Sequence, residues 1–147
     1  MAALAAARVG ELAARPHATV DVRAAMWQVV DAMKARGRGA VLVEDGGALV
    51  GIFTERDLLN RIDHSDALWS HVVVGDVMTP HPMVVHPDDT VAEALRRLLS
   101  GRRRHLPIVD ARGAVRGMLS IRDLLAFVAS RFPEEMVNLP PGPDHES

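Results

Sequence analysis

Two stretches of this chain say the same thing, and they constrain its fold more than any other feature. One is Gly51-Ile52-Phe53-Thr54-Glu55-Arg56-Asp57-Leu58-Leu59; the other is Gly117-Met118-Leu119-Ser120-Ile121-Arg122-Asp123-Leu124-Leu125. Gly51 to Gly117, Thr54 to Ser120 and Asp57 to Asp123 each span 66 positions. One offset shared by a glycine, a hydroxyl and a carboxylate marks an internal repeat. Each copy reads as a strand that ends in a hydroxyl residue and turns into a helix. Neither half carries enough secondary structure to bury both faces of its own sheet. The halves are therefore predicted to pack together about a pseudo-twofold axis, with equivalent segments across shared clefts.

The rest of the chain fills in two matching units. Val9 to Leu12 reads as a short helical turn, Ala13 to His17 as an irregular link, and Thr19 to Val22 as a strand. Met26, Val29, Val30 and Met33 recur at three and four, which predicts a helix over Arg23 to Arg36 with Met26, Val29 and Met33 in the core. Ala40 to Val43 is a buried strand, Asp45-Gly46-Gly47 a hairpin turn, and Leu49 to Phe53 its return. Asn60 to His71 is a polar connection in which Leu68 and Trp69 are expected to pack against the body. In the second unit Val74 to Pro80 is the lead-in turn and Met83 to Val85 a strand. Thr90-Val91-Ala92-Glu93 has the pattern of a capping box. Val91, Ala94, Leu95, Leu98 and Leu99 form one helical stripe. Leu106 to Val109 and Val115 to Leu119 make the second hairpin, and a last helix runs from Ser120 to about Ser130.

Each unit thus reads β-α-β-β-α, an α/β (α+β) fold. The expected divisions are a first repeat over 1–62, a linker over 63–73, a second repeat over 74–130, and a loose, proline-bearing tail over 131–147.

The repeated motif has its own chemistry. A hydroxyl at a helix start sits beside unpaired backbone N–H groups, an arrangement suited to anions. A carboxylate one turn later points to the same end and can accept from two vicinal ribose hydroxyls. Phosphate plus ribose is a reasonable ligand for Thr54 with Asp57, and for Ser120 with Asp123. Thr54-x-x-Asp57 and Ser120-x-x-Asp123 are equally capping boxes, and capping by itself accounts for both. Arg36, Arg38, Arg102, Arg103 and Arg104 precede the middle strands, where they either meet ligand phosphates or complement helix C-termini.

The ordered set of motifs resembles a tandem pair of cystathionine β-synthase (CBS) domains, a Bateman module. The second half carries the resemblance at Asp76-Val77-Met78-Thr79-Pro80, Pro87-Asp88-Asp89-Thr90-Val91, Arg104-His105-Leu106-Pro107-Ile108-Val109-Asp110 and Gly117 to Leu125. The first half carries it at Gly39 to Val43 and Gly51 to Leu59, and departs at Gly10-Glu11-Leu12. Such modules are non-catalytic regulators that bind AMP, ADP, ATP or S-adenosylmethionine in clefts between the repeats. The resemblance implies that Thr54 and Ser120 contact phosphate and that Asp57 and Asp123 accept from ribose. It places Arg38, Gly39, Ala40 and Ile52 of the first repeat around the ligand. From the second it brings Val84, Arg104, His105, Pro107 and Met118, with adenine among the apolar strand residues. No cofactor is required, the ligand being regulatory. The resemblance also implies a homodimer, here through Leu58, Leu59, Leu124, Leu125 and Phe127, and a regulated protein that the sequence does not identify. A ligand-free dimerisation module is the competing reading.

Composition narrows the field. The absence of cysteine removes disulfides, thiolate metal sites and a cysteine nucleophile, and fits a reducing cytoplasm. A formal net charge of −2 and 3% aromatic residues argue against broad nucleic-acid affinity. No apolar run approaches the ~20 residues that span a bilayer, and the first residues lack the pattern of a signal peptide. His81 and His86 fall on opposite faces of a predicted extended segment, so no metal set is expected. The sequence has no nucleophile elbow, Walker loop or Rossmann glycine fingerprint, and is not expected to be an enzyme.

Overall fold

The computed structural model of the protein describes residues 6–12, 17–36, 39–101 and 104–131. The link over 13–16 and the tail from 132 lie outside the described residues, as do Arg38, Arg102 and Arg103. The first unit runs β1 (Ala18–Asp21), α1 (Met26–Arg36), β2 (Ala40–Asp45), β3 (Ala48–Thr54) and α2 (Glu55–Arg61). The second runs β4 (Thr79–Pro80), α3 (Val91–Ser100), β5 (His105–Val109), β6 (Val115–Ser120) and α4 (Ile121–Arg131). The fold is mixed α+β, as the sequence predicts.

β1 pairs in parallel with β2, and β2 and β3 form an antiparallel hairpin. Its turn is two residues long, with Gly46 at φ 58° and Gly47 at φ 86°. Two consecutive positive φ angles match the mirror-image turns that suit the twist of a hairpin, which is why two glycines stand there. β4 adds to the far edge of β3, so a strand from the second repeat completes the four-stranded sheet of the first. The second sheet is the β5–β6 hairpin.

The expected strand at Met83 to Val85 shrinks to a single parallel bridge between Val85 and Ile108. Pro82 and Pro87 bracket it and cannot donate to a ladder. The Val84 carbonyl is taken by the Arg97 guanidinium at 2.8 Å instead of a neighbouring strand.

Two cores result, and each borrows from the other half of the chain. The first holds Met26, Val29, Met33, Val41, Val43 and Phe53 together with Val74 from the second lead-in. The second holds Val91, Ala94, Leu98, Leu106, Leu119 and Leu124 together with Ala7 and Val9 from the first lead-in. Backbone hydrogen bonds fix this exchange. Val9 and Gly10 N–H donate to the Asp89 and Pro87 carbonyls, and Val74 and Gly75 N–H donate to those of Ala24 and Val22. Trp69 and Val72, in the predicted linker, pack partly against the first core, whereas Leu68 stays exposed. Burying a side chain such as Val9 or Val74 is worth about 1.5–3 kcal/mol, so each half gains stability from the other's lead-in.

Three local expectations change. Leu99 is 61% exposed, because Val91, Ala94 and Leu98 already define the buried face of α3 and the next position turns outward. Leu124 is buried at 1%, one helical turn from Val128 on the core face of α4, so it does not belong to an outer dimer face. The capping box at Thr90 is half made. Thr90 Oγ1 accepts from Glu93 N–H at 3.0 Å, but Glu93 turns its carboxylate to Arg96 and Arg97. At the start of α1 the opposite half appears, since Gln28 accepts from Ala25 N–H at 2.8 Å and Ala25 has no capping side chain.

Candidate functional site

β3 ends in Thr54, and its backbone stays extended there at φ −120° and ψ 167° before α2 begins. This is the geometry of an N-cap, and both halves of the capping box are present. Thr54 Oγ1 accepts from Asp57 N–H at 3.2 Å, and Asp57 Oδ2 accepts from Thr54 N–H at 3.0 Å. The second motif repeats it: Ser120 Oγ accepts from Asp123 N–H at 3.2 Å, and Asp123 Oδ2 accepts from Ser120 N–H at 3.0 Å.

This geometry corrects one expectation. The backbone N–H groups at the start of α2 are mostly committed within the protein, because Glu55 N–H donates to the Gly39 carbonyl at 2.9 Å besides the two capping bonds. An anion held here must be met by side chains more than by the first turn of backbone.

Thr54 and Asp57 open onto a cleft of about 360 Å³ between the repeats. One wall is Gly39, Ile52 and the start of α2 from Thr54 to Asp57; the other is the run Thr79 to Met83, with Arg104 and His105 at the end of β5. Gly51, on the buried side of β3, lets the two walls approach. A Cβ there would collide with the Met78 sulfur and stand 3.0 Å from the Thr79 carbonyl. His81 holds φ at 50°, an uncommon value for a residue with a Cβ, while its N–H donates to the Val50 carbonyl. Glu55 lies over Gly39, within 3.3 Å of where a Cβ would stand. The walls therefore carry both charges: Glu55 and Asp57 against Arg56 and Arg104.

The site residues read from the sequence separate into three groups. Gly39, Ile52, Thr54, Asp57, Arg104 and His105 line this cleft. Ala40 and Pro107 are buried in their strands, and Val84 lies just beyond the lining with its carbonyl on Arg97. Met118, Ser120 and Asp123 stand at the second motif, away from this lining, and Arg38 lies outside the described residues. Sequence reasoning missed Glu55, Arg56 and the run Thr79 to Met83. No local signal marks that run, because its place on the cleft depends on β4 pairing with β3 of the other repeat.

Asp57 is largely buried, its side chain 14% exposed, and has a second partner: Arg61 Nε lies 3.3 Å from Oδ1. Arg61 also donates to the carbonyls of Val77 at 3.1 Å and Met78 at 3.4 Å. Among the described residues no group of three His, Asp or Glu is placed to hold a metal ion, and no helix is long and apolar enough to cross a membrane. His86 Nδ1 is 2.7 Å from the Val109 carbonyl, which gives that histidine a structural partner.

Two interlocked repeats with a polar-rimmed cleft between them define the class: a paired-repeat module. The chain belongs to the CBS domain family, which matches residues 9–64 and 74–130. It is 37% identical over 118 residues to the meiotically up-regulated gene 70 protein of Schizosaccharomyces pombe, covering 79% of this chain. The chain spans 16% to 21% of the length of the first curated relatives it matches. Among solved structures it is similar to CBSX2 of Arabidopsis thaliana in complex with AMP, at 28% identity and a TM-score of 0.73, covering 84% of this chain and 97% of that one. A CBS-domain protein of Agrobacterium tumefaciens matches at 28% identity and a TM-score of 0.71, covering 82% and 97%.

Proposed function

We propose that this CBS pair binds an adenosine-containing ligand of the AMP class in the cleft at Thr54 and Asp57 and passes its occupancy to a partner protein. The observation that carries the reading is the cleft itself, which combines hydroxyl, carboxylate, cations and apolar surface at one place. Its volume of about 360 Å³ lies in the range of small-molecule sites. AMP bound to the CBSX2 relative supports the ligand class. In this reading Ile52, Pro80 and Met83 flank adenine, Asp57 accepts from the ribose hydroxyls, and Thr54, Arg56 and Arg104 meet the phosphate. Because β4 and the lead-ins tie each repeat to the other, a ligand that draws the two walls together shifts their packing. Only a difference in affinity between two packings can carry a signal.

The reading assigns the chain no reaction and places its action in the cytoplasm. ADP, ATP and S-adenosylmethionine share the adenosine part and are the alternative ligands. Ser120 and Asp123 hold the corresponding positions of the second motif, and the Thr54–Asp57 side is the working one in this reading. Two copies are proposed to pair through α2 and α4, where Leu59 is 75% and Leu125 47% exposed beside the half-buried Phe127. A single monomer species in sedimentation at micromolar concentration would remove that pairing.

The ligand-free reading also has an observation in its favour: both motifs are complete capping boxes without any ligand. Titration calorimetry with AMP separates the two. Saturable binding supports the sensor, and no heat or competition up to millimolar AMP supports the ligand-free interaction module.

A further inference from the structure

We propose that Arg61 is a positioning residue for this cleft, orienting Asp57 toward a ribose diol and fixing the opposite wall from behind. The inference rests on the adenosine reading and adds a residue to it. Arg61 closes α2, one turn beyond Asp57. Its Nε faces Asp57 Oδ1 at 3.3 Å, while a terminal nitrogen donates to the Val77 and Met78 carbonyls. Those two residues come immediately before Thr79 and Pro80, which line the other side of the cleft. One guanidinium therefore ties both walls together without itself lining the cleft.

The effect on Asp57 follows from carboxylate geometry. The Thr54 N–H holds Oδ2, but a single donor leaves the group able to swivel about its last bond. The Arg61 charge beside Oδ1, an ion pair at 3.3 Å, draws that oxygen to one side and sets the plane. Each oxygen keeps lone-pair capacity, now in a set direction, for one of two vicinal hydroxyls. A planar fork reaches a carboxylate and two carbonyls at once; a lysine ammonium is a point charge and does not match that span. The second motif differs at the matching position: four residues past Asp123 stands Phe127, with the Arg131 guanidinium over its ring at 5.4 Å.

The test is calorimetric titration of wild type, Arg61→Gln and Arg61→Lys with AMP and with 2′-deoxy-AMP, with ligand-free melting as the check on folding. Wild type is expected to prefer AMP by about tenfold, the scale of one hydrogen bond to a charged group. Arg61→Gln is expected to bring that preference to within about twofold, and Arg61→Lys to fall between. A tie with no orienting role weakens both ligands alike and leaves the preference intact, and that result overturns the proposal. So does a wild type that binds both ligands equally. A wild type that binds neither overturns the adenosine reading itself, which distinguishes the two failures.

Discussion

The two strand-to-helix motifs are alike where they are local and different where they meet the rest of the protein. Thr54 with Asp57 and Ser120 with Asp123 make the same two hydrogen bonds at the same lengths, 3.0 and 3.2 Å. A capping box closes whenever a hydroxyl and a carboxylate stand three apart at a helix start, whatever lies beyond. One turn later the copies part: Asp57 faces Arg61, whereas the matching position after Asp123 is Phe127 under Arg131. Capping geometry therefore does not separate a ligand site from a structural turn. The residues that do so come from the opposite wall and from the second turn of the helix.

The comparison extends to the cores, where the largest effect is expected. Phe53 and Leu119 hold matching positions in the two hairpins and are both buried. Phe53→Ala is expected to cost about 3–5 kcal/mol and Leu119→Ala about 2–5 kcal/mol in denaturant unfolding. Because each core contains the other repeat's lead-in, either variant should lower one shared transition. Two separate transitions would show that the repeats unfold independently and break the interlocked account.

A smaller effect distinguishes α1 from α3. Arg96, and then Arg97, hold the Glu93 carboxyl down to about 2 from its ordinary 4.5. A carboxyl more acidic in the folded chain stabilises it above pH 4.5, and that contribution fades as pH falls toward about 2. Glu93→Gln is expected to flatten this acid limb of the melting curve modestly, since the network is open to solvent. Gln28, at the matching N3 position of α1, has no such titration. An unchanged acid limb in Glu93→Gln would show that the ion pairs contribute nothing to folding.

Much of the fold was legible because its signals are local. The offset of 66, the α1 spacing of Met26, Val29 and Met33, and the Asp45-Gly46-Gly47 turn each specify structure within a few residues. Thr54 and Asp57 could be picked out for the same reason, whereas Ile52 came only with the family resemblance. The exchange of lead-ins was not legible, because Val9 and Val74 are apolar residues that would suit either core. Nor was the wall from Thr79 to Met83, or the reach of Arg61 to Val77, since both depend on which segment crosses to which repeat. Leu124 and Leu125 show the same limit on a smaller scale: adjacent leucines read alike, and only packing decides that one is core and the other surface.

The central claim is that the Thr54–Asp57 cleft is the working site. It is tested most directly by melting wild type, Asp57→Ala and Asp123→Ala with and without AMP. Each variant loses one carboxylate of a capping box, so both are expected to lose a similar ~0.5–2 kcal/mol without ligand. AMP at ~100 times its dissociation constant should then add about 2.7 kcal/mol to wild type and to Asp123→Ala. Asp57→Ala should show little or none of that gain. A gain kept in Asp57→Ala, or absent from wild type, would contradict the account and leave Asp57 as a helix cap alone.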